Sequence, residues 1–117
     1  MNLSLRSSDA PEPRIRRGYY DGPTGQIHYR RCRVHDAAVA ASPLMLLHQS
    51  PLSSTQFEAA MPALARAGFD VLAPDMPGFG MSDAAPAGAT LEDFASIIEA
   101  GLEAHGWTQA DLVGHHT

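Results

Sequence analysis

The sequence predicts an α/β domain in which a β-hairpin precedes parallel strands joined by crossover helices. Three observations lead there. Two β-type segments flank Asp21-Gly22-Pro23-Thr24-Gly25, a turn of residues that supply a positive or a preset φ. From Pro43 onward, short apolar runs alternate with segments of helical period. The first of those runs is continuously apolar rather than alternating, as expected of a strand covered on both faces. Parallel neighbours then require right-handed crossovers.

The hairpin takes Ile15 to Tyr20 and Gln26 to Val34, with Tyr19, Tyr20, Ile27, Tyr29 and Val34 as its apolar contacts. Arg14, Arg16 and Arg17 lie among a few apolar residues, as on a solvated edge strand. Asp36 to Ser42 is an alanine-rich connection, and Pro43-Leu44-Met45-Leu46-Leu47 is the next strand. Ser53-Ser54-Thr55 offers capping hydroxyls, and Thr55 with Glu58 has capping-box spacing. Phe57, Ala60, Met61, Leu64 and Ala65 recur at helical spacing. Pro62 interrupts that helix, as a kink or as the first position of a new helical turn. Gly68 closes it.

Phe69 to Ala73 is a further strand, followed by a turn-rich loop from Pro74 to Asp83 that continues to Ala89. Thr90 caps a second helix, with Asp93 as its capping-box partner. Leu91, Phe94, Ile98, Leu102 and His105 mark the buried stripe, with Ile97 beside it. Gly106 stops the helix, and Trp107 to Asp111 leads into a final strand, Leu112-Val113. Residues 1–13 carry Ser, Asp and two prolines without periodicity and read as a disordered tail. Residues 14–117 form the domain.

At 117 residues, 44% hydrophobic and 18% charged, the chain suits one small globular domain. No apolar run is long enough to cross a bilayer, and Met1 to Glu12 lacks the apolar core of a signal peptide. The single cysteine, Cys32, excludes an internal disulfide and fits a reducing compartment, so the expected location is cytoplasmic. Arg31 and Arg33 flank Cys32 and would lower its pKa if they faced the thiol; an unreactive strand cysteine is the simpler reading. The net charge is −5, and all eight basic residues are arginine. Seven of them precede Asp36, yet no aromatic platform or nucleic-acid motif accompanies them. Neither nucleic acid nor membrane is an expected partner.

Three motifs carry the chemistry. His48-Gln49-Ser50-Pro51 ends one strand, Asp75-Met76-Pro77-Gly78-Phe79-Gly80-Met81-Ser82 follows the next, and Gly114-His115-His116-Thr117 follows the last. One helix separates each from its successor. In this order they resemble the H-G-x-P, D-x-P-G-x-G-x-S and G-x-Nu-x-G motifs of the α/β-hydrolase fold family. The resemblance covers about residues 14–117. Its middle motif matches at every defined position. Gln49 stands where the family has glycine, and His116 stands where it carries a Ser, Asp or Cys nucleophile. The sequence stops one residue short of the elbow's second glycine.

The resemblance implies the N-terminal portion of an α/β-hydrolase core. It implies a hydrolase acting on a small ester, epoxide, halide or C–C bond substrate, with no organic cofactor. His116 takes the nucleophile position on a sharp strand-to-helix turn. The backbone N–H groups of Ser50 and Thr117 take the place of the oxyanion donors. Gly114 suits a point where two backbones crowd. The family's acid and base follow the nucleophile in chain order, beyond Thr117, so this chain by itself is expected to be inactive. Two other readings stand beside this one: a non-catalytic pseudo-hydrolase that binds ligands or partners, and a truncated product with no function of its own.

The remaining motif residues read as structural. His48 organises its loop, and Asp75 orders its own Pro-Gly turn through Asx-type bonds. Ser50-Pro51 is a candidate cis peptide. Met45, Met61, Met76 and Met81 read as packing residues. His115-His116 near His48 does not make a metal site, because adjacent strand residues point to opposite faces and no Asp, Glu or Cys set joins them. The final strand has an unpaired edge, so self-association through it is expected.

Overall fold

The computed structural model describes residues 13–34, 41–49, 52–85, 87–88 and 90–114. The hairpin forms, with β1 (Arg16–Gly22) antiparallel to β2 (Gly25–Cys32) and Tyr20 opposite Ile27, but Tyr19 and Val34, expected among its apolar contacts, are exposed. Three further strands follow: β3 (Ser42–Leu47), β4 (Phe69–Pro74) and β5 (Asp111–Gly114). The sheet order is β1-β2-β4-β3-β5. β4 is antiparallel to β2, while β3 runs parallel to both β4 and β5. Two α-helices, α1 (Met61–Arg66) and α2 (Leu91–Ala104), make the crossovers.

The two helices cover opposite faces of the sheet, and β2 shows why. Its side chains alternate with period two. Cys32 joins Leu44, Leu46, Met61, Ala65, Val71 and Ala73 in the core under α1. Ile27 and Tyr29 join Tyr20 and Ile97 in the core under α2. The even-numbered positions His28 and Arg30 share the phase of Cys32 and are buried despite their polarity.

The helix expected after β3 is two pieces. A 3₁₀ helix spans Ser54–Phe57, and α1 starts after Ala60. Ser53, not Thr55, is the cap: its Oγ accepts the Thr55 N–H at 3.3 Å. Pro62 stands in the first turn of α1, where a missing N–H costs nothing, and so begins a new helix rather than kinking an old one.

In α2 the capping box is present, with Thr90 Oγ1 accepting from the Asp93 N–H and Asp93 Oδ2 from the Thr90 N–H. Its buried line runs through Ile97 and Gly101, and the expected stripe needs correction at Leu91, which is 86% exposed. At 3.6 residues per turn Leu91 lies about 120° around the helix from Ile97. Gly101 lets the helix sit close: a Cβ there would lie 3.0 Å from the Tyr20 hydroxyl. That hydroxyl donates to the Ile97 carbonyl at 2.8 Å. His105 ends the helix, with Nδ1 against the Gly101 carbonyl and its ring edge-on to Tyr29.

The methionines also divide. Met45 and Met61 are fully buried, whereas Met81 is 58% exposed and does not pack in the core. Arg31 forms a bidentate pair with Asp70 and lies over the Trp107 ring, so a share of the basic cluster is spent within the fold. At one sheet edge β1 exposes Arg16 and Arg17; at the other, every residue of β5 is exposed. Among the described residues, no helix is long and apolar enough to cross a membrane.

Candidate functional site

β3, β4 and β5 are parallel, so their C-terminal ends lie at one end of the sheet. Open α/β sheets bind ligands at that end. The loop leaving β3 starts at His48, and the loop leaving β4 starts at Asp75. Gly114, the last residue of β5, pairs with Leu47, the last of β3. The described parts of the three motifs, His48-Gln49, the loop from Asp75 to Ser82, and Gly114, therefore start from one end of the sheet.

Asp75 is the node of this end. It is wholly buried, and its N–H donates to the His28 carbonyl at 2.8 Å. Its Oδ1 accepts the Ser54 N–H at 2.7 Å. Its Oδ2 accepts the Met81 N–H at 3.0 Å and faces His28 Nδ1 at 2.9 Å. A carboxylate only accepts, so the His28 proton sits on Nδ1. Burial alone would push the Asp75 carboxyl up. The Met81 amide, the Ser54 hydroxyl and amide, and His28 outweigh it, and the group is held below the ordinary carboxylate value.

The rest of the motif serves this carboxylate. Gly78 and Gly80 have φ of +86° and +52°, the left-handed region that glycine enters most freely. A Cβ on Gly80 would also run into the Asp75 carboxylate and lie 2.9 Å from Ser53 Cβ. Ser82 Oγ donates to the Asp75 carbonyl at 2.6 Å and accepts the His28 N–H at 2.9 Å. Asp83 then closes the loop onto β2, with Oδ2 accepting the Gln26 N–H at 2.8 Å. Asp75 thus orders its own turn, as expected. It also reaches two further segments, at His28 and Ser54, which the sequence reading did not foresee.

His48 has both ring nitrogens engaged. Nε2 accepts the Met76 N–H at 2.9 Å, so the proton is on Nδ1, which faces the Gln49 carbonyl at 3.1 Å. Phe79 packs edge-on against the ring. This is the organising role expected of His48. Gln49 causes no backbone strain, since no described residue except glycine has a positive φ. Its N–H donates to Gln56 Oε1 at 2.7 Å, and its carbonyl accepts the Leu52 N–H.

Ser50, His116 and Thr117 lie outside the described residues, as do the Ser50-Pro51 bond and His115. Among the described residues a Cβ on Gly114 would meet nothing within 4 Å, and the turn where crowding is expected lies outside them. Among the described residues, no three His, Cys, Asp or Glu side chains group as a metal site. Cys32 is buried, and desolvation pushes its thiol up, which leaves it inert as expected.

Sequence reasoning missed His28, Arg30, Ser54 and Glu58. Arg30 Nη1 donates to Ser54 Oγ at 2.7 Å, and its Nε donates to Glu58 Oε2 at 3.1 Å. The signal was the phase of β2. His28 and Arg30 sit two apart on the same side as Cys32, so a polar pair occupies positions that face a helix.

Comparison with known proteins follows the same lines. A family model described as alpha/beta hydrolase fold matches residues 42–115. A haloalkane dehalogenase of Mycobacterium marinum is 38% identical over 63 residues, covering 54% of this chain and 20% of that protein. Bifunctional epoxide hydrolase 2 of Sus scrofa is 37% identical over 86 residues, covering 71% of this chain and 16% of that protein. The crystal structure of epoxide hydrolase A from Mycobacterium thermoresistibile superposes with a TM-score of 0.79 at 21% identity, over 88% of this chain and 32% of that one. The chain therefore spans a fifth or less of the length of these two curated relatives.

Proposed function

The chain belongs to the α/β-hydrolase fold family, and on that premise we propose that it contributes the nucleophile side of a hydrolase site. The substrate is a small ester, epoxide, halide or C–C bond compound. The observation that carries this reading is the pairing of Gly114 with Leu47. It supports the reading because Gly114 shares a sheet end with the starts of the His48 and Asp75 loops, the end where open α/β sheets bind ligands. The names of the relatives, epoxide hydrolase and haloalkane dehalogenase, favour substrates with an electrophilic carbon.

His116 is the reacting group in this proposal. With an ester, a neutral ring nitrogen attacks the carbonyl carbon and the electron pair moves onto oxygen. The amides of Ser50 and Thr117 hold that oxyanion. Collapse breaks the C–O bond, and the leaving alkoxide takes the ring proton, giving an alcohol and an acyl-imidazole. Water then splits the acyl-imidazole to the acid and restores the ring. With an epoxide or haloalkane, direct attack by the ring would leave a C–N bond that water does not readily break. There the ring acts as a base instead, taking a proton from the water that attacks carbon as the epoxide C–O bond opens or the halide leaves; the ring then returns that proton to the epoxide alkoxide or to solvent.

Trapping tests the assignment. The full-length protein, quenched during turnover of an activated ester, should carry one acyl group, mapped to His116 by peptide mass. Acyl label on other residues, equal in His116→Ala, would refute the role. A small molecule is the proposed partner, and the single buried cysteine favours a cytoplasmic setting. The bare edge of β5 favours pairing between copies.

A further inference from the structure

We propose that Arg30 is a positioning residue: by holding the hydroxyl of Ser54 it fixes the Ser54 N–H on Asp75, and with it the bonds that join the β3 and β4 loops. The inference rests on the hydrolase reading only in its purpose, since those two loops frame the proposed site.

Arg30 is 7% exposed and lies at the middle of β2, on the α1 side. Guanidinium N–H groups donate and never accept. Arg30 Nη1, 2.7 Å from Ser54 Oγ, therefore occupies a lone pair of that oxygen. That bond holds Ser54 against the buried Asp75 carboxylate. The Ser54 N–H donates to the same carboxylate at 2.7 Å. The other carboxylate oxygen receives the Met81 N–H and His28 Nδ1. These three N–H groups all point inward to Asp75. Glu58, at the end of the 3₁₀ helix, holds the outer side of the guanidinium through Nε.

Charge explains why an arginine suits this place. A buried ionised carboxylate needs compensation. Arg30 supplies a positive charge on the other side of Ser54, where it also pairs with Glu58. A residue that donated nothing to Ser54 would free the hydroxyl to rotate. It would also loosen the Ser54 N–H that Asp75 accepts. The Met81 amide, on the far side of the carboxylate, would then report a change made at β2.

The experiment is a double-mutant cycle on Arg30→Met and Ser54→Ala in the 117-residue chain, read by amide hydrogen exchange. Each single variant should speed exchange of the Met81 amide by about tenfold or more, the cost of losing one charge-assisted bond. The double variant should add little beyond either single one. The Val71 amide, in the core of β4, should change far less. Additive effects, or an unchanged Met81 amide, would overturn the proposal. Arg30→Lys, which restores one donor, should bring Met81 exchange part of the way back; no recovery would count against it. Wild type gives a check that needs no variant to fold: the Arg30 Nε–H should exchange much more slowly than that of exposed Arg16. Equal rates would overturn the proposal. No substrate enters these measurements, so their outcome is independent of the hydrolase reading.

Discussion

The Nε2 of His48 accepts the Met76 N–H at 2.9 Å, so the residue that ends β3 is bonded to the loop that leaves β4. A ring that accepts at Nε2 and carries its proton on Nδ1 is neutral and occupied. It tethers two backbones instead of serving as a base. His48→Ala would leave a partly buried amide without its acceptor, at a cost of about 1–3 kcal/mol. Urea denaturation of the two proteins measures this. A difference below about 0.5 kcal/mol, the ordinary range of surface changes, would contradict the tether.

Asp75→Asn tests the carboxylate node. Asparagine offers one acceptor oxygen and an NH₂ that must donate, facing groups that are themselves donors. Met81 N–H or His28 Nδ1–H would then meet a donor. A buried donor left without its acceptor costs about 1–3 kcal/mol, and more where the lost partner was charged. The expected result is a much lower urea midpoint, or failure to fold at 37 °C. A midpoint within error of wild type would count against the network.

The pH dependence follows from two groups. Burial pushes His105 below the ordinary histidine value of 6.5. The unfolded chain therefore binds more protons there, and stability is complete above about 6.5 and lost as pH falls through the folded value. Asp75 is also held below its ordinary value of 3.8. Its contribution is present above 3.8 and is lost as pH falls below it. Thermal melts between pH 8 and pH 3, a range spanning both values, should show stability falling in two stages. His105→Phe should abolish much of the first stage and leave the second. A flat profile from pH 8 to pH 5 would contradict the assignment.

Much of this fold was legible because its signals are local. Gly68 and Gly106 stop helices, Thr90 and Asp93 form a box three residues apart, and the apolar run at Leu44 to Leu46 is buried as a strand. The errors came where geometry, not sequence distance, decides. Leu91 fits a helical period but falls on the wrong side of Ile97. Thr55 has the spacing of a cap, but the chain turns at Ser53 and takes a 3₁₀ form first. Asp75 was legible as a turn residue, because Met81 is near in sequence. Its bond to His28 spans 47 positions and its bond to Ser54 spans 21, and no local pattern announces either. Arg30 was hidden for a similar reason: an arginine on a hairpin strand normally faces water.

The bare edge gives a further prediction. Leu112 and Val113 point to opposite faces and are 53% and 48% exposed, with no proline, lysine or bulge to block pairing. Sedimentation velocity of the 117-residue chain should show concentration-dependent association. Val113→Lys should shift it toward monomer, because edge lysines oppose pairing. Unchanged association in that variant would place the contact elsewhere.

The most direct test of the central claim is turnover by the full-length protein, wild type against His116→Ala, over a panel of esters, epoxides, haloalkanes and C–C bond substrates. Saturable hydrolysis of at least one class is expected, reduced by about 10²-fold or more in the alanine variant. Turnover that is absent across the panel, or equal in the two proteins, would contradict it.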